Sequence, residues 1–271
     1  MATGKIVEKI PQPRKSKKSS RIKWKKIALT MVYLALLGVA THYTIQWWKI
    51  REAGFAHYPG FGIQMPIGFE IHGIDVSHHQ DLIKWESVRE MEDNSVKLGF
   101  VFIKATEGYT RKDRQFSRNW RKAKDVGLIR GAYHFFLPNK NGLIQAQNFI
   151  RSVDLEPGDL PPVVDIEETY GVKKTEIKKR LQEYLNTIER HYGVTPIIYT
   201  GADYYANYLG EDFDEYPLWV AHYLQRNKPR INRPWNFWQF AETGRVDGII
   251  SKVDFNVFSG DSTEFHALRI Q

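Results

Sequence analysis

The sequence has no cysteine among its 271 residues. That absence excludes a disulfide-stabilised scaffold, a thiol nucleophile, and any zinc or iron–sulfur site built on thiolate ligands. Disorder of the whole chain is also excluded, because 42% of the residues are hydrophobic and 14% are aromatic. The length is sufficient for one or two domains, or for a single domain of barrel size.

Acidic residues are nearly missing from the first 26 positions, where ten Lys and Arg residues accompany only Glu8. The formal net charge of +8 comes from this segment, because the remaining positions hold 29 basic and 30 acidic residues. A nucleic-acid-binding domain needs a basic face on its folded part. The nearly neutral body of the chain therefore predicts no nucleic-acid partner.

Charged residues are also absent between Lys26 and Lys49. An apolar run of about 20 residues can cross the hydrocarbon core of a bilayer as a helix. The sequence thus predicts a basic cytoplasmic tail over residues 1–26 and a transmembrane signal-anchor helix over residues 27–48. The positive charges before the run predict a single-pass inner-membrane protein with a cytoplasmic N-terminus and a periplasmic domain.

Two other interpretations of the apolar run stay open. It could be a buried core helix, or a signal peptide cleaved near the small residues Gly38-Val39-Ala40. The long basic region and the apolar residues beyond Ala40 favour an uncleaved anchor. Residues 49–69 are rich in glycine and proline and have no helical periodicity, so we predict an extended tether there.

From residue 70 to residue 271, eight apolar strand patterns alternate with helical ones, and the last intervals are too short for full helices. Repeated βα units require right-handed crossovers and hence a parallel sheet or barrel. The pattern predicts an α/β fold, an irregular TIM-like (β/α) barrel with reduced last helices, and an open doubly wound sheet is the alternative. The predicted strands are Ile71–Ser77, Leu98–Ile103, Ile129–Phe136, Pro162–Ile166, Ile197–Thr200, Leu218–Tyr223, Phe237–Phe240 and Val253–Phe258.

Four acidic residues lie in or at the ends of these strands, where chemistry is expected in either fold. Asp165 and Glu167 are two positions apart, so both side chains leave the same face of the strand. Two close carboxyls titrate as a coupled pair, and one tends to stay protonated near neutral pH. Glycoside cleavage needs such a proton donor beside an ionised acid. With Asp75 and Asp254 on other strands, the set favours a glycosidase over a salt-bridged strand end or a metal-ligand pair.

Five motifs follow one another along the domain: Gly73-Ile74-Asp75-Val76-Ser77, Phe102-Ile103-Lys104-Ala105-Thr106-Glu107-Gly108, Gly131-Ala132-Tyr133-His134-Phe135, Pro162-Val163-Val164-Asp165-Ile166-Glu167 and Val253-Asp254-Phe255-Asn256. In this order they resemble glycoside hydrolase family 25, the lysozymes also called N-acetylmuramidases. The resemblance extends over about residues 70–260. It includes Ile197-Ile198-Tyr199-Thr200-Gly201, Leu218-Trp219-Val220-Ala221 and Trp238-Gln239.

The resemblance implies a peptidoglycan hydrolase that cleaves the β-1,4 bond between N-acetylmuramic acid and N-acetylglucosamine with retention, without a cofactor and as a monomer. It implies that Glu167 is the general acid. Asp165 would then stabilise the charged intermediate or orient the 2-acetamido group of the substrate. Asp75 and Asp254 match the remaining acids of the family's cleft, and the nucleophile stays open between an enzyme carboxylate and the acetamido group.

Aromatic residues at strand ends could stack on sugar rings, or could simply fill the barrel core. On family position, the predicted substrate-binding residues are Tyr133, Tyr199, Trp219, Trp238 and Gln239. Histidines near the acids do not predict a metal site, because none of them forms an H-x-x-x-H pair.

Two alternative functions remain at this stage. A non-catalytic peptidoglycan-binding barrel would have no need of the paired acids. A chitinase-like glycosidase that acts on another N-acetylated glycan would need an acid at Val163.

Overall fold

The computed structural model describes residues 18–52, 54–223, 225 and 228–271. The chain divides into two compact units, Met1–Glu52 and Ala53–Gln271. Most of the predicted basic tail, residues 1–17, lies outside the described residues.

The first unit contains one long helix, α1 (Lys18–Glu52). Within it, Lys26–Thr44 is long and apolar enough to cross a membrane by length and composition. These 19 residues span about 28 Å at 1.5 Å per residue, close to the thickness of a bilayer core. Apolar side chains along this stretch, such as Leu29 and Leu36, are exposed. A helix over the predicted span is confirmed, and its passage through a membrane stays a prediction.

The second unit contains the remaining elements. Its strands are β1 (Phe55–Tyr58), β2 (Ile63–Pro66), β3 (His72–Val76), β4 (Glu92–Asp93), β5 (Val96–Glu107), β6 (Arg111–Lys112), β7 (Ile129–Phe135), β8 (Val163–Asp165), β9 (Ile197–Gly201), β10 (Leu218–Ala221), β11 (Phe237–Gly244) and β12 (Val253–Phe258). Its α-helices are α2 (Trp85–Glu90), α3 (Phe116–Asp125), α4 (Gly142–Ile150), α5 (Lys174–Tyr192), α6 (Ala202–Tyr204) and α7 (Ser262–Leu268). Short 3-10 or π turns cover His78–Gln80, Tyr205–Leu209 and Gly210–Phe213.

Eight strands form a closed barrel in the order β3-β5-β7-β8-β9-β10-β11-β12, with β12 paired to β3. All eight were predicted from the sequence, and the predicted barrel is confirmed. The helices between early strands are regular because each has a clear apolar face, as in α5, where Ile177, Leu181 and Leu185 are buried. Among the described residues, the connections after β10 and β11 contain no helix, so the predicted reduction of the last helices is also confirmed.

The last strand runs against the parallel arrangement that repeated βα units predict. β12 is antiparallel to both β11 and β3, whereas the other barrel pairs are parallel. Only eight residues, 245–252, separate β11 from β12, and a parallel crossover needs about a dozen or more. The start of β12 therefore lies at the barrel end where the parallel strands finish.

The predicted tether over residues 49–69 is wrong from Phe55 onward. β1 and β2 form an antiparallel hairpin with Tyr58 opposite Ile63, and its turn places Gly62 at a φ of 68°. Phe61 and Met65 are fully buried against the outward-facing side chains of the barrel strands. We call this layer around the barrel the outer core. The glycine and proline residues that suggested a tether lie in and around this hairpin.

The hairpin covers the outer face of the barrel where the helices are reduced. The ring of Phe55 lies 5.8 Å from that of Trp238, and Phe61 lies 5.2 Å from Phe255, measured between centroids. The backbone N–H of Arg245 donates to the carbonyl of Phe61 at 2.9 Å. The hairpin is therefore part of the barrel domain.

Large aromatic side chains fill the interior of the barrel. Phe100 and Phe102 of β5 are fully buried there. The neighbouring strands carry glycine beside them: a Cβ added to Gly73 would lie 2.6 Å from the ring of Phe100, and one added to Gly131 would lie 2.5 Å from that of Phe102. These glycines make room for the rings, so the interior is a packed core rather than a channel.

We predict that Phe61→Ala lowers the free energy of unfolding of residues 50–271 by about 3–5 kcal/mol, because it leaves a cavity where a fully buried ring was. Gln64→Ala, on the exposed face of β2, is the matched control and should stay within about 0.5 kcal/mol of wild type. Urea denaturation measures both. Equal stabilities for the two variants would contradict the packing of the hairpin.

Candidate active site

A cavity of about 170 Å³ opens at the barrel end where the parallel strands finish. Its lining includes the four acids singled out in the sequence and four of the five predicted substrate-binding residues. These eight residues are Asp75, Asp165, Glu167, Asp254, Tyr133, Tyr199, Trp219 and Gln239. The structure thus brings together side chains that come from seven different strands or strand ends.

The alternation of side chains along each strand explains this convergence. In β8, Val163 lies in the inner core, the cluster of side chains inside the barrel, and Val164 lies in the outer core. Because alternate residues share a face, Asp165 and Glu167 point inward like Val163. In β3, Ile74 and Val76 lie in the outer core, which turns Asp75 inward. The antiparallel register of β12 sets Asp254 directly opposite Asp75.

Asp75 is buried and is held by two amide donors. Its Oδ2 accepts hydrogen bonds of 2.8 Å from Gln239 Nε2 and from Asn256 Nδ2. Burial raises the pKa of Asp75 against the effect of these donors. Burial and the charge of Asp75 together raise the pKa of Asp254 to about 9. Asp254 therefore keeps its proton at neutral pH, and the two amide donors favour the ionised form of Asp75 over that of Asp254.

Asp165 and Glu167 form the second acid pair. Asp165 is only 6% exposed, and burial followed by the charge of Glu167 raises its pKa well above the usual range. Burial also raises the pKa of Glu167, although its side chain faces the open side of the cavity. Among the described residues, Asp165 Oδ1 is buried with no hydrogen-bond partner. The pair thus combines a retained proton with a buried oxygen free to contact a ligand.

Tyr199 lies between the acid pairs. Its hydroxyl is 2.8 Å from Gln239 Oε1 and 3.4 Å from Glu167 Oε2. A hydroxyl has one proton to donate, and of these two acceptors Gln239 is the closer, so the contact with Glu167 is the weaker one. Tyr223 donates to the same Gln239 oxygen at 2.5 Å. Both hydroxyls therefore orient the Gln239 amide so that its N–H group points at Asp75.

The two tryptophans occupy different places. Trp219 is buried at the cavity floor, stacked on Phe102 with ring centroids 4.2 Å apart. Its indole Nε1 donates to Asn256 Oδ1 at 2.8 Å, which orients that amide toward Asp75. Its main contacts are thus with the protein, and only its edge reaches the cavity.

The substrate-binding prediction for Trp238 is not supported by its position. Its neighbours in β11, Phe237 and Gln239, face inward, so Trp238 must face outward, and its ring is fully buried against Phe55 of the hairpin. Its indole Nε1 donates to the carbonyl of His222 at 2.9 Å. Trp238 therefore belongs to the outer core.

Sequence reasoning assigned no role to two residues that support the acids. Asn256 is two positions after Asp254, and the same period of two that linked Asp165 to Glu167 would have placed it on the inward face. Tyr223 follows the end of β10, and the period of two, counted from Trp219 through Ala221, would have placed it on the inward face as well. In the described part of the chain, no group of three or more histidines and acids is arranged to hold a metal ion.

Comparisons with known proteins agree with this geometry. The family model for glycosyl hydrolases family 25 matches residues 74–249. Protein YegX of Escherichia coli (strain K12) is 45% identical over 218 residues, which cover 80% of this chain and 80% of YegX. Lysozyme M1 of Streptomyces globisporus is 36% identical over 213 residues, which cover 73% of this chain and 71% of that protein.

A solved structure, that of a family 25 glycosyl hydrolase from Bacillus anthracis, has a TM-score of 0.69 and 32% identity to this chain. The superposition covers 75% of this chain and 95% of the Bacillus anthracis chain. The family match spans well over half of the residues and the same fold recurs in the solved relative. The chain therefore belongs to glycosyl hydrolase family 25 and is a glycoside hydrolase.

Proposed function

We propose that this glycoside hydrolase is a muramidase, which hydrolyses the β-1,4 bond between N-acetylmuramic acid and N-acetylglucosamine in peptidoglycan. The observation that carries the proposal is the buried, unpartnered Asp165 Oδ1 beside Glu167 in the cavity. A buried polar oxygen without a partner is costly unless a ligand supplies a donor or a positive charge. The relatives include proteins called lysozymes, which supports the same substrate class.

Glu167 is the general acid in this proposal. Burial raises its pKa, which favours the protonated form that a general acid needs, and its exposure on the open side of the cavity lets it reach the oxygen of the glycosidic bond. Transfer of the proton to the leaving oxygen lets the bond break without releasing an alkoxide.

Asp165 acts from the buried side of the cavity. Once Glu167 holds the shared proton, Asp165 is free to carry negative charge opposite the positive charge that develops on the sugar ring. Its free oxygen either stabilises that charge or orients the 2-acetamido group as an internal nucleophile. In either case the nucleophile, an enzyme carboxylate or the acetamido group, first displaces the leaving oxygen, and water then displaces the nucleophile, so the configuration at the anomeric carbon is retained.

Asp75 and Asp254 complete the cleft with one negative charge between them. Asp75 accepts hydrogen bonds from fixed amides and from protonated Asp254, so its charge is held in position without reorganisation during the reaction. Tyr133, Tyr199 and Gln239 then contact the sugar from the surrounding strand ends, with Trp219 as the floor.

We also propose that α1 anchors the enzyme in the membrane as an uncleaved single span, with the N-terminus in the cytoplasm and the domain in the periplasm. The charge distribution supports this orientation, since ten basic residues precede the apolar run. The enzyme acts as a monomer on glycan strands, and its role is in remodelling or lysis of the cell wall.

The first prediction concerns the proton donor. Glu167→Gln keeps the shape of the side chain but cannot donate an acidic proton, so turnover should fall about 10²–10⁴-fold. The assay incubates residues 50–271 with peptidoglycan and identifies new reducing ends by mass spectrometry after borohydride reduction. Wild type should yield reduced muramic acid ends.

The neighbouring exposed Glu168→Gln is the matched control and should retain activity. Retained activity in Glu167→Gln, with an unchanged circular dichroism spectrum, would overturn the assignment. Reduced glucosamine ends from wild type would instead reverse the bond specificity.

Asp165→Asn should lower kcat strongly and leave KM nearly unchanged, because the carboxylate acts mainly on charge that develops during bond cleavage. Steady-state kinetics on soluble glycan strands measure both constants. A change confined to KM would make Asp165 a substrate-binding residue.

The pKa of Asp254 yields a prediction for stability. A carboxyl whose pKa is raised by folding binds its proton more tightly in the folded state, so stability falls as the pH rises from about 4 toward about 9. Asp254→Asn keeps an N–H donor toward Asp75 and cannot ionise. Its Tm relative to wild type should therefore rise over that pH interval, whereas exposed Asp125→Asn should run parallel to wild type. Parallel curves for both variants would contradict a protonated Asp254.

A further inference from the structure

A second cavity, of about 220 Å³, adjoins the catalytic one. The two cavities share Lys104, which lies in the wall of both. His78 lines the second cavity and His79 the first, and their rings lie 4.1 Å apart. The two cavities are therefore immediate neighbours at the same end of the barrel.

The second cavity is cationic. Lys104, Arg111, Lys112 and Arg114 line it, together with the two acids Glu107 and Asp113 and the imidazole of His78. The rest of the chain after residue 26 is nearly neutral, and the catalytic cavity beside it holds four acids. This concentration of positive charge is therefore local to the edge of the cleft.

Both acids in the second cavity are already engaged. Glu107 accepts from Lys104 Nζ at 2.9 Å and from Arg111 at 2.7 Å. Asp113 is buried and accepts from the backbone N–H of His78 at 3.0 Å, and its Oδ2 lies 2.6 Å from His78 Nδ1. Their charge is thus used within the protein.

Two cations remain for an external ligand. Lys112 and Arg114 are exposed. Neither side chain pairs with a carboxylate in the part of the chain that the structure describes. The amine of Lys112 lies 5.6 Å from the centre of the Phe116 ring, which positions it without neutralising it.

Hydrogen bonds fix the backbone of the segment that carries these cations. β6 pairs with the end of β5, with Lys112 opposite Thr106. The buried amide of Asn148 donates to the carbonyls of Gly108 and Arg111 at 3.0 and 3.3 Å. The backbone N–H of Asp113 donates to the carbonyl of Ala105 at 2.9 Å. The backbone that carries the two cations is therefore fixed before a ligand arrives.

Resting on the muramidase function proposed above, we propose that this cationic cavity is a subsite for carboxylates of the peptide stems attached to muramic acid. The stems branch from the sugar through its lactyl group and carry several carboxylates, whereas the glycan backbone is largely uncharged. The acidic catalytic cavity repels such groups, and Lys112 and Arg114 attract them at its edge. The subsite therefore makes the enzyme prefer peptide-bearing strands.

The test compares wild type with Lys112→Gln/Arg114→Gln on three soluble substrates. These are glycan strands with their peptides, the same strands after an amidase has removed the peptides, and peptide-bearing strands whose carboxyls have been converted to amides. The charge-matched control is Lys97→Gln/Arg121→Gln. Lys97 and Arg121 are exposed and lie outside both cavities.

On peptide-bearing strands, the Lys112/Arg114 variant should lose about 3- to 10-fold in kcat/KM, through KM, as expected for two exposed charge contacts. On peptide-free and amidated strands it should match wild type, and the loss should shrink in high salt. The control variant should match wild type on all three substrates.

Equal kcat/KM for wild type and the Lys112/Arg114 variant on peptide-bearing strands would overturn the subsite. So would a loss of the same size on all three substrates, because that would show an effect on the cleft itself. Wild type that releases no reducing ends from any substrate would contradict the muramidase function instead. The two failures are thus distinguishable.

Discussion

The pairing of β12 with both β3 and β11 closes the barrel, and the active site depends on this closure. Because β12 is antiparallel, its beginning reaches the end of the barrel where the parallel strands finish, and Asp254 lies opposite Asp75. Asn256, two residues further along the same face, donates to Asp75. A parallel last strand would have carried both side chains to the opposite end of the barrel.

Four carboxyl groups in one small cavity would repel each other if all were ionised. The protein limits this cost in two ways. Burial raises the pKa values, so that Asp254 and one of Asp165 and Glu167 keep their protons. Oriented amides hold the charge on Asp75, and tyrosine hydroxyls and the Trp219 indole fix those amides. The remaining negative charge lies inside the cavity, among these hydrogen-bond donors.

The eight strands and the inward-facing acids were predictable because the period of two is strong in short buried strands. The same period excludes Trp238 once Gln239 faces inward, so adjacent residues could not both have lined the cleft. The direction of β12 follows from the short connection after Gly244, which is evident only when the true end of β11 is known. The hairpin of residues 55–66 was missed because its strands have four residues each and its contacts are distant in sequence.

Because of that hairpin, the folded domain begins before the region that the family match covers. The family match begins at residue 74, yet the outer core of the barrel is completed by side chains that precede it. Beginning the chain at residue 74 would expose Trp238 and Phe255 to water and leave an apolar patch prone to self-association. A shortened form of this enzyme that keeps the barrel fully packed therefore has to begin before Phe55.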